Sequence, residues 1–215
     1  MIRVVVADDH TIVREGLKQL LGAAGDLEVV GEAQNGHEVM ERVRGMEFDL
    51  LLLDMSMPGK SGIELIKQVR AEKPKLRILV LSMHEEHQYA VRAIRAGAAG
   101  YLTKESASRQ LVEAIRKVAS GGAFISSEVA QQLALGAMPD AKGALHEALS
   151  DREFQIFRMI GEGKSISDIA ERLNLSVKTV STHKANILQK MNMTTQAELI
   201  RYAITHRLVE ESSDG

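Results

Sequence analysis

The sequence predicts two domains: a doubly wound α/β domain with a parallel five-stranded sheet, followed by a small all-α domain of four helices. Two observations indicate this fold class. Short apolar runs alternate strictly with amphipathic stretches up to residue 120, and no strand pattern follows residue 149. A chain of 215 residues is long for one domain and sufficient for two of ordinary size.

Five short apolar runs predict the strands of the first domain, and they cover residues 2–7, 29–33, 50–53, 78–81 and 100–102. Runs this apolar suit strands buried on both faces of a parallel sheet. Amphipathic stretches predict helices at about 11–23, 37–46, 61–72, 86–96 and 106–119. A flavodoxin-like strand order of 2-1-3-4-5 is the usual solution for five such units, and its ligand crevice lies between strands 1 and 3.

A linker over residues 121–148 follows, in which one short helix covers about 126–135 and a turn-rich stretch covers 136–143. The third segment, 149–211, predicts helices at about 151–162, 166–173, 177–190 and 195–206. The predicted N-caps of these helices are Ser150 or Asp151, Ser165 or Ser167, Ser176, and Thr194. We therefore expect domains at 1–120 and 149–211, joined by this linker.

The composition excludes several classes of protein. The chain has no cysteine, which excludes a disulfide framework and a thiolate zinc site. No apolar run approaches the roughly 20 residues that span a bilayer, and the N-terminus does not resemble a signal peptide. A net charge of −2 says little about partners. We expect a soluble, cytoplasmic protein.

Chemically active side chains follow four of the predicted strands. Asp8 and Asp9 come after strand 1, Asp54 ends strand 3, Ser82 follows strand 4, and Lys104 follows strand 5. The carboxyl ends of parallel strands point the same way, so these side chains should meet in one crevice. Three clustered carboxylates repel one another, which favours a bound cation, and ligands that are all oxygens favour Mg²⁺.

Such a crevice holds the groups required for phosphoryl transfer to a carboxylate. Two acids can bind the metal, a third can act as the nucleophile, and the lysine can neutralise charge on the phosphoryl oxygens. A single acid at a strand end is more simply a solvated loop residue. Five suitable residues at successive strand ends are a specific pattern.

The stretches 8–10 (Asp-Asp-His), 54–62 and 99–104, together with Ser82, resemble the receiver domain of two-component response regulators. The resemblance covers residues 1–120. It implies that Asp54 accepts phosphate from a sensor histidine kinase. It also implies an Mg²⁺ site formed by Asp8, Asp9, Asp54 and the backbone carbonyl of Ser56.

The same resemblance implies a conformational switch. Ser82 and Tyr101 would relay phosphorylation, and Lys104 would contact the phosphoryl group. Glu105 stands where many receivers have a proline, which leaves the lysine itself unaffected.

Residues 165–184 predict two capped helices around a short turn. Their shared internal face consists of Ile169, Ala170, Leu173, Leu175, Val180 and, just beyond, Ile187. The second helix exposes short polar and basic side chains, and no acid lies between Asn174 and Ala197, which suits a helix entering the major groove of DNA. The alternative for this segment alone is a solvated helix in a small bundle.

Residues 149–206 resemble the LuxR-type helix-turn-helix, and the whole chain resembles a NarL/FixJ-type response regulator. Base-edge contacts are thereby implied for Ser181, Thr182 and Ala185. Contacts mostly to phosphates are implied for Lys178, Thr179, His183 and Lys184. We expect phosphorylation either to favour a homodimer on double-stranded DNA or to release the helix-turn-helix from masking contacts. In the homodimer, the last helix would contribute Leu199, Ile200, Tyr202 and Ala203 to the dimer contact.

Two alternatives belong to other classes. A phosphatase with an aspartyl intermediate would need an acid or base two residues after Asp54, where Ser56 stands. A constitutive DNA-binding protein would never be phosphorylated, although all five receiver positions are chemically competent. We predict a non-enzymatic phosphoacceptor with at most slow self-phosphorylation from small donors and self-dephosphorylation.

Overall fold

In the computed structural model, the chain divides into two compact units, Met1–Gln132 and Leu133–Gly215. The structure describes residues 1–57, 62–82, 87–135, 144–206 and 208–209. Residues 58–61 of the receiver-like motif and the turn-rich stretch 136–143 lie outside the described residues. The domain boundaries at residues 120, 149 and 211 therefore stay predictions.

The first unit is a parallel five-stranded sheet with the order β2-β1-β3-β4-β5, which confirms the predicted α/β fold class and strand order. Its strands are β1 (Ile2–Ala7), β2 (Leu27–Ala33), β3 (Leu50–Asp54), β4 (Arg77–Ser82) and β5 (Gly100–Thr103). Its helices are α1 (Thr11–Gly22), α2 (Gly36–Gly45), α3 (Gly62–Glu72), α4 (His87–Ala96), α5 (Lys104–Ala119) and α6 (Ser127–Leu135), the last of which crosses the division between the units. Helix α5 begins two residues earlier than predicted because the Thr103 side chain accepts a hydrogen bond from the backbone N–H of Ser106.

One face of the sheet packs against α1 and α5. Alternate residues of a strand point to opposite faces, so Val4 and Val6 share one face with Leu50 and Leu52. The buried aliphatic cluster on this face also includes Leu17, Leu21, Leu111 and Ile115. This packing fixes the strand ends, and therefore the residues that follow them, at one edge of the sheet.

After α5 the chain returns to the sheet as an edge segment, residues 123–126, which lies beside β5. The Tyr101 N–H donates to the Phe124 carbonyl oxygen at 2.8 Å, and the Phe124 N–H donates to the Ala99 carbonyl oxygen at 3.1 Å. A Cβ on Gly100 would lie 2.8 Å from Leu79 Cδ1 and 3.0 Å from the Phe124 carbonyl oxygen, so this close approach favours glycine. The edge segment was not predicted from the sequence.

The second unit is helical in its described residues, in agreement with the predicted all-α domain. After a short 3-10 helix (Leu145–Ala148) it contains α7 (Asp151–Gly161), α8 (Ile166–Leu173), α9 (Val177–Lys190) and α10 (Gln196–Thr205). The N-caps of α7, α8 and α9 are Ser150, Ser165 and Ser176, as predicted. None of the described helices of either unit is long and apolar enough to cross a bilayer.

The sequence prediction for α10 needs two corrections. Its N-cap is Thr195 and not Thr194, because Glu198 stands three residues after Thr195 and completes a capping box. The prediction that Leu199 and Ala203 form a dimer contact is wrong, since both are fully buried within their own unit. Ile200 and Tyr202 are partly exposed.

Candidate functional site

A pocket at the carboxyl edge of the sheet holds two buried carboxylates and one ammonium group. Asp8 directly follows β1, Asp54 ends β3, and Lys104 directly follows β5. Lys104 Nζ donates to Asp8 Oδ2 at 2.6 Å and to Asp54 Oδ2 at 2.9 Å. The sequence prediction that these three residues converge is therefore confirmed by the geometry.

Asp54 and Lys104 affect each other's pKa in this pocket. Burial raises the pKa of the Asp54 carboxyl because it disfavours the charged form, and the hydrogen bond from Lys104 only partly opposes this effect. Burial lowers the pKa of Lys104, but its hydrogen bonds to Asp54 and Asp8 outweigh burial, and the net pKa of Lys104 is raised. The lysine therefore stays charged. A single ammonium group cannot neutralise the acids around it.

The loop after β1 brings two further side chains to the pocket. Asp9 is partly exposed, and the exposed His10 ring lies beside it, with His10 Nδ1 3.1 Å from Asp9 Oδ1. Asp8, Asp9, His10 and Asp54 each offer one ligand atom, and these atoms lie within 4.8 Å of one another. This arrangement could hold a metal ion.

The loop after β3 fixes the orientation of Asp54. The backbone N–H of Ser56 donates to Asp54 Oδ1 at 3.0 Å, so one carboxylate oxygen faces the loop and the other faces Lys104. The predicted role of the Ser56 carbonyl as a metal ligand stays a prediction.

A buried arginine, Arg14, contacts the loop that follows β1 (residues 8–10), which we call the acidic loop. Arg14 Nη1 donates to the backbone carbonyl oxygen of Asp8 at 2.7 Å, and Arg14 Nε donates to Glu32 Oε2 at 3.2 Å. Lys18 Nζ also donates to Glu32, at 2.7 Å. Sequence reasoning missed Arg14, although a charged residue three positions before Leu17 on the buried stripe of α1 could have indicated it.

The two predicted switch residues are both buried. Ser82 ends β4 and pairs in register with Thr103 of β5, close to the edge that carries the pocket. Tyr101 lies within β5 and lines a cavity of about 430 Å³, together with Ala90, Thr103, Ser106, Gln110 and residues of the edge segment and α6. The location of both residues suits the predicted relay, and their roles stay predictions.

The second unit exposes most of the predicted DNA-contacting face of α9. The exposed members of the set are Lys178, Thr179, Ser181, Thr182 and Ala185. His183 and Lys184 are only partly exposed, and Lys184 Nζ donates to Gln196 Oε1 of α10 at 2.7 Å. Asn174, whose left-handed φ is 52°, ends α8 and begins the short turn that leads to α9. Of the predicted internal face, Leu175 is only partly buried, and the other five residues are fully buried.

An ion pair joins α7 to the C-terminal end of α9. Lys190 Nζ donates to Glu153 Oε2 at 2.6 Å, and the backbone N–H of Ser150 donates to the same oxygen at 2.8 Å. The Glu153 side chain is only 5% exposed, whereas that of Lys190 is 42% exposed. Burial raises the pKa of Glu153, but the hydrogen bonds from Lys190 and Ser150 outweigh burial, and the net pKa is lowered.

We expect Glu153→Gln to destabilise the second unit by about 2 kcal/mol at neutral pH, because the hydrogen bonds from Lys190 and Ser150 lose their charge assistance. A carboxyl whose pKa is lower in the folded state stabilises the fold above its unfolded pKa, and this stabilisation is lost as the pH falls through the folded pKa. The difference between wild type and variant should therefore shrink in acid. Urea unfolding followed by far-UV circular dichroism at several pH values measures this difference. The exposed Glu171→Gln on α8 is the control, and an equal loss in both variants would contradict the assignment.

The comparison with known proteins agrees with both units. The sequence profile described as "Response regulator receiver domain" matches residues 4–116, and that described as "Bacterial regulatory proteins, luxR family" matches residues 147–203. Response regulator UvrY of Escherichia coli is 39% identical over 209 residues, which cover 97% of this chain and 96% of that protein. Response regulator GacA of Pseudomonas aeruginosa is 37% identical over 214 residues, which cover 99% of this chain and 100% of that protein.

Solved structures give the same result. The response regulator RcsB of Salmonella typhimurium matches with a TM-score of 0.70 and 27% identity, over 95% of this chain and 97% of that chain. RcsB in complex with DNA matches with a TM-score of 0.58 and 28% identity, over 95% and 98% of the two chains. The chain thus belongs to the NarL/FixJ-type response regulators, which join a receiver domain to a LuxR-type helix-turn-helix and regulate transcription by binding DNA.

Proposed function

We propose that Asp54 is the phosphoacceptor, that a sensor histidine kinase supplies the phosphoryl group, and that phosphorylation controls dimerisation and sequence-specific DNA binding. The observation that carries this proposal is the position of Lys104 Nζ, 2.6 Å from Asp8 Oδ2 and 2.9 Å from Asp54 Oδ2. A fixed cation beside a buried carboxylate can neutralise the oxygens of an incoming phosphoryl group.

The donor set of the pocket fits a hard divalent cation. Asp9 Oδ1 is buried and accepts no hydrogen bond among the described residues, so it is an oxygen available to a cation. We propose that Asp8, Asp9, Asp54 and the backbone carbonyl of Ser56 hold Mg²⁺. When bound, Mg²⁺ would neutralise charge on the phosphoryl oxygens.

The chain's own residues would carry the transfer as follows. An Asp54 carboxylate oxygen attacks phosphorus, and the bond from phosphorus to the nitrogen of the donor histidine breaks, with its electron pair leaving on that nitrogen. The Ser56 N–H bond to Asp54 Oδ1 orients the carboxylate for this attack. Lys104 then contacts the phosphoryl oxygens, and the Ser82 hydroxyl donates a hydrogen bond to one of them.

Tyr101 would carry the change to the surface. Its ring lines the cavity beside α4, the edge segment and α6, so a movement of the ring alters the packing of this face. We propose that the altered face favours a homodimer, which presents two α9 helices to half-sites about one helical turn apart on double-stranded DNA. The RcsB–DNA structure supports such a role for the helix-turn-helix.

On α9, we propose base contacts from Ser181, Thr182 and Ala185, all of which are exposed. Phosphate contacts would come from Lys178, Thr179, His183 and Lys184. Lys178 is the exposed basic member of this set, whereas Lys184 already binds Gln196. We therefore expect Lys178 to provide the larger share of the electrostatic attraction to DNA.

Response regulators are in general not enzymes, and we propose that this chain catalyses only its own slow phosphorylation from small donors and its own dephosphorylation. A phosphatase would need an acid or base near the acyl phosphate, and the Ser56 hydroxyl is poorly suited to either role.

Uptake of phosphate from acetyl phosphate tests the proposal. The full chain should gain the mass of one phosphoryl group when Mg²⁺ is present and none when Mg²⁺ is removed by a chelator. Asp9→Asn should lower the uptake because it removes a metal ligand, whereas Asp26→Asn, at a half-exposed residue at the opposite end of β2, should not. Equal uptake with and without Mg²⁺ would contradict the metal assignment, and no uptake under any condition would favour a constitutive DNA-binding protein.

A further inference from the structure

We infer that His10 is a nitrogen donor of the metal site and enables the pocket to bind transition-metal ions such as Mn²⁺, Co²⁺ and Zn²⁺ in addition to Mg²⁺. This inference rests on the proposed function, because it concerns the same acidic pocket. It goes further in assigning a ligand outside the all-oxygen set and a second class of metal ion.

The geometry of the acidic loop carries the inference. His10 Nδ1 lies 3.2 Å from Asp8 Oδ1 and 3.1 Å from Asp9 Oδ1. The backbone N–H of His10 donates to Asp8 Oδ1 at 2.8 Å, which fixes the start of the side chain beside the carboxylates. The imidazole nitrogen therefore lies between the same oxygens that a cation would bind.

The contact with Asp9 is close but is not a hydrogen bond. Asp9 Oδ1 is buried and accepts no hydrogen bond among the described residues, although His10 Nδ1 lies within hydrogen-bonding distance of it. His10 Nδ1 is hydrogen-bonded instead to Asp8 Oδ1, at 3.2 Å. A cation in place of the proton of this bond could bind the ring nitrogen and both carboxylate oxygens at once, and it would also satisfy Asp9 Oδ1.

The His10 ring is also free to adjust to a metal ion. Its side chain is 63% exposed, while the Asp8 side chain is only 1% exposed. The Asp8 carboxylate therefore lies in the buried part of the site, and the imidazole lies at its solvent-exposed edge. A cation entering from solution reaches the ring without any change in the core.

The ligand types determine which ions gain from His10. Imidazole suits Mn²⁺ less than Co²⁺, Ni²⁺ or Zn²⁺, whereas Mg²⁺ keeps oxygen ligands and water. A nitrogen donor therefore raises the affinity for transition-metal ions with little effect on Mg²⁺. As a consequence, transition-metal ions would compete with Mg²⁺ for the phosphorylation pocket.

Electron spin-echo envelope modulation of bound Mn²⁺ tests this assignment without measuring activity. The full-length wild type should show ¹⁴N modulation from one imidazole, and His10→Gln should lose it. The matched control is His37→Gln, because His37 is an exposed histidine on α2 beside Glu41 and is not one of the residues whose ligand atoms converge in the pocket, and this variant should keep the modulation. Titration calorimetry should show Zn²⁺ binding weakened about tenfold or more by His10→Gln, and Mg²⁺ binding changed by at most about twofold.

The possible outcomes separate this inference from the proposed function. The absence of ¹⁴N modulation in the wild type together with Zn²⁺ affinity that His10→Gln leaves unchanged, or modulation that persists in His10→Gln, would overturn the role of His10 and leave the all-oxygen site intact. Mn²⁺ and Mg²⁺ binding that is absent in the wild type, or unchanged by Asp9→Asn, would overturn the metal site itself and the inference with it.

Discussion

Asp54→Asn is expected to abolish incorporation of phosphate from both a histidine kinase and acetyl phosphate. The substitution replaces the nucleophilic carboxylate with an amide, which does not form an acyl phosphate. In the wild type Lys104 Nζ also donates to Asp8 Oδ2 at 2.6 Å, so we expect the variant to keep this charge pair. Intact-mass spectrometry after incubation with the phosphodonor and Mg²⁺ measures the loss.

The variant should also be at least as stable as the wild type without divalent ions. The pKa of Asp54 is higher in the folded state, so the contribution of this group to stability is complete below its unfolded pKa and is lost as the pH rises through the folded pKa. At neutral pH the ionised Asp54 carboxylate therefore lowers the free energy of unfolding of the wild type, and the uncharged asparagine avoids this loss of stability. A thermal melt without metal would reveal this loss, and Glu28→Gln, at an exposed position of β2, serves as the surface control. Phosphate found on the Asp54→Asn protein would show that another residue is the acceptor.

Lys178→Ala is expected to weaken binding to mixed-sequence duplex DNA by roughly tenfold near physiological salt. The exposed ammonium on α9 would neutralise a phosphate and release a counterion, so its removal should reduce the slope of log affinity against log salt by about one for each bound subunit. Lys184→Ala should have a smaller effect, because Lys184 Nζ already donates to Gln196 Oε1. Fluorescence anisotropy of a labelled duplex at several salt concentrations measures both quantities.

The control for this series is Lys75→Ala, which removes an exposed lysine from the receiver domain and should leave the salt dependence unchanged. An unchanged slope for Lys178→Ala would contradict the assignment of α9 as the DNA-binding helix. Loss of affinity on Lys184→Ala alone would indicate instead that the contact with Gln196 breaks when DNA binds.

The pocket could be predicted from the sequence because it depends on topology and not on details of packing. The alternation of apolar runs predicts parallel strands, and parallel strands bring the residues after their carboxyl ends to one edge. Asp8, Asp54 and Lys104 lie far apart in sequence, yet this rule alone brings them together. The structure adds the distances and the buried state of the two acids.

The remaining features depend on contacts between elements that no local pattern records. Arg14 is buried because a carbonyl oxygen of the acidic loop and Glu32 of β2 lie opposite it. The inward face of α10 is set by its packing on α7, where a Cβ on Gly161 would lie 2.9 Å from Ala203 Cβ. By contrast, the Thr195 cap could have been recognised from Glu198 three residues later.

The edge segment has a consequence for any shortened receiver fragment. Strand β5 is the last strand of the sheet. On its outer side, the backbone of Phe124 forms hydrogen bonds with the N–H of Tyr101 and with the carbonyl oxygen of Ala99. A fragment that stops at residue 120 would leave these groups open to pairing with another polypeptide, which is how uncovered strands promote aggregation. A fragment extended beyond Val129, which is buried, would keep the edge segment paired with β5 and should therefore remain soluble at higher concentration.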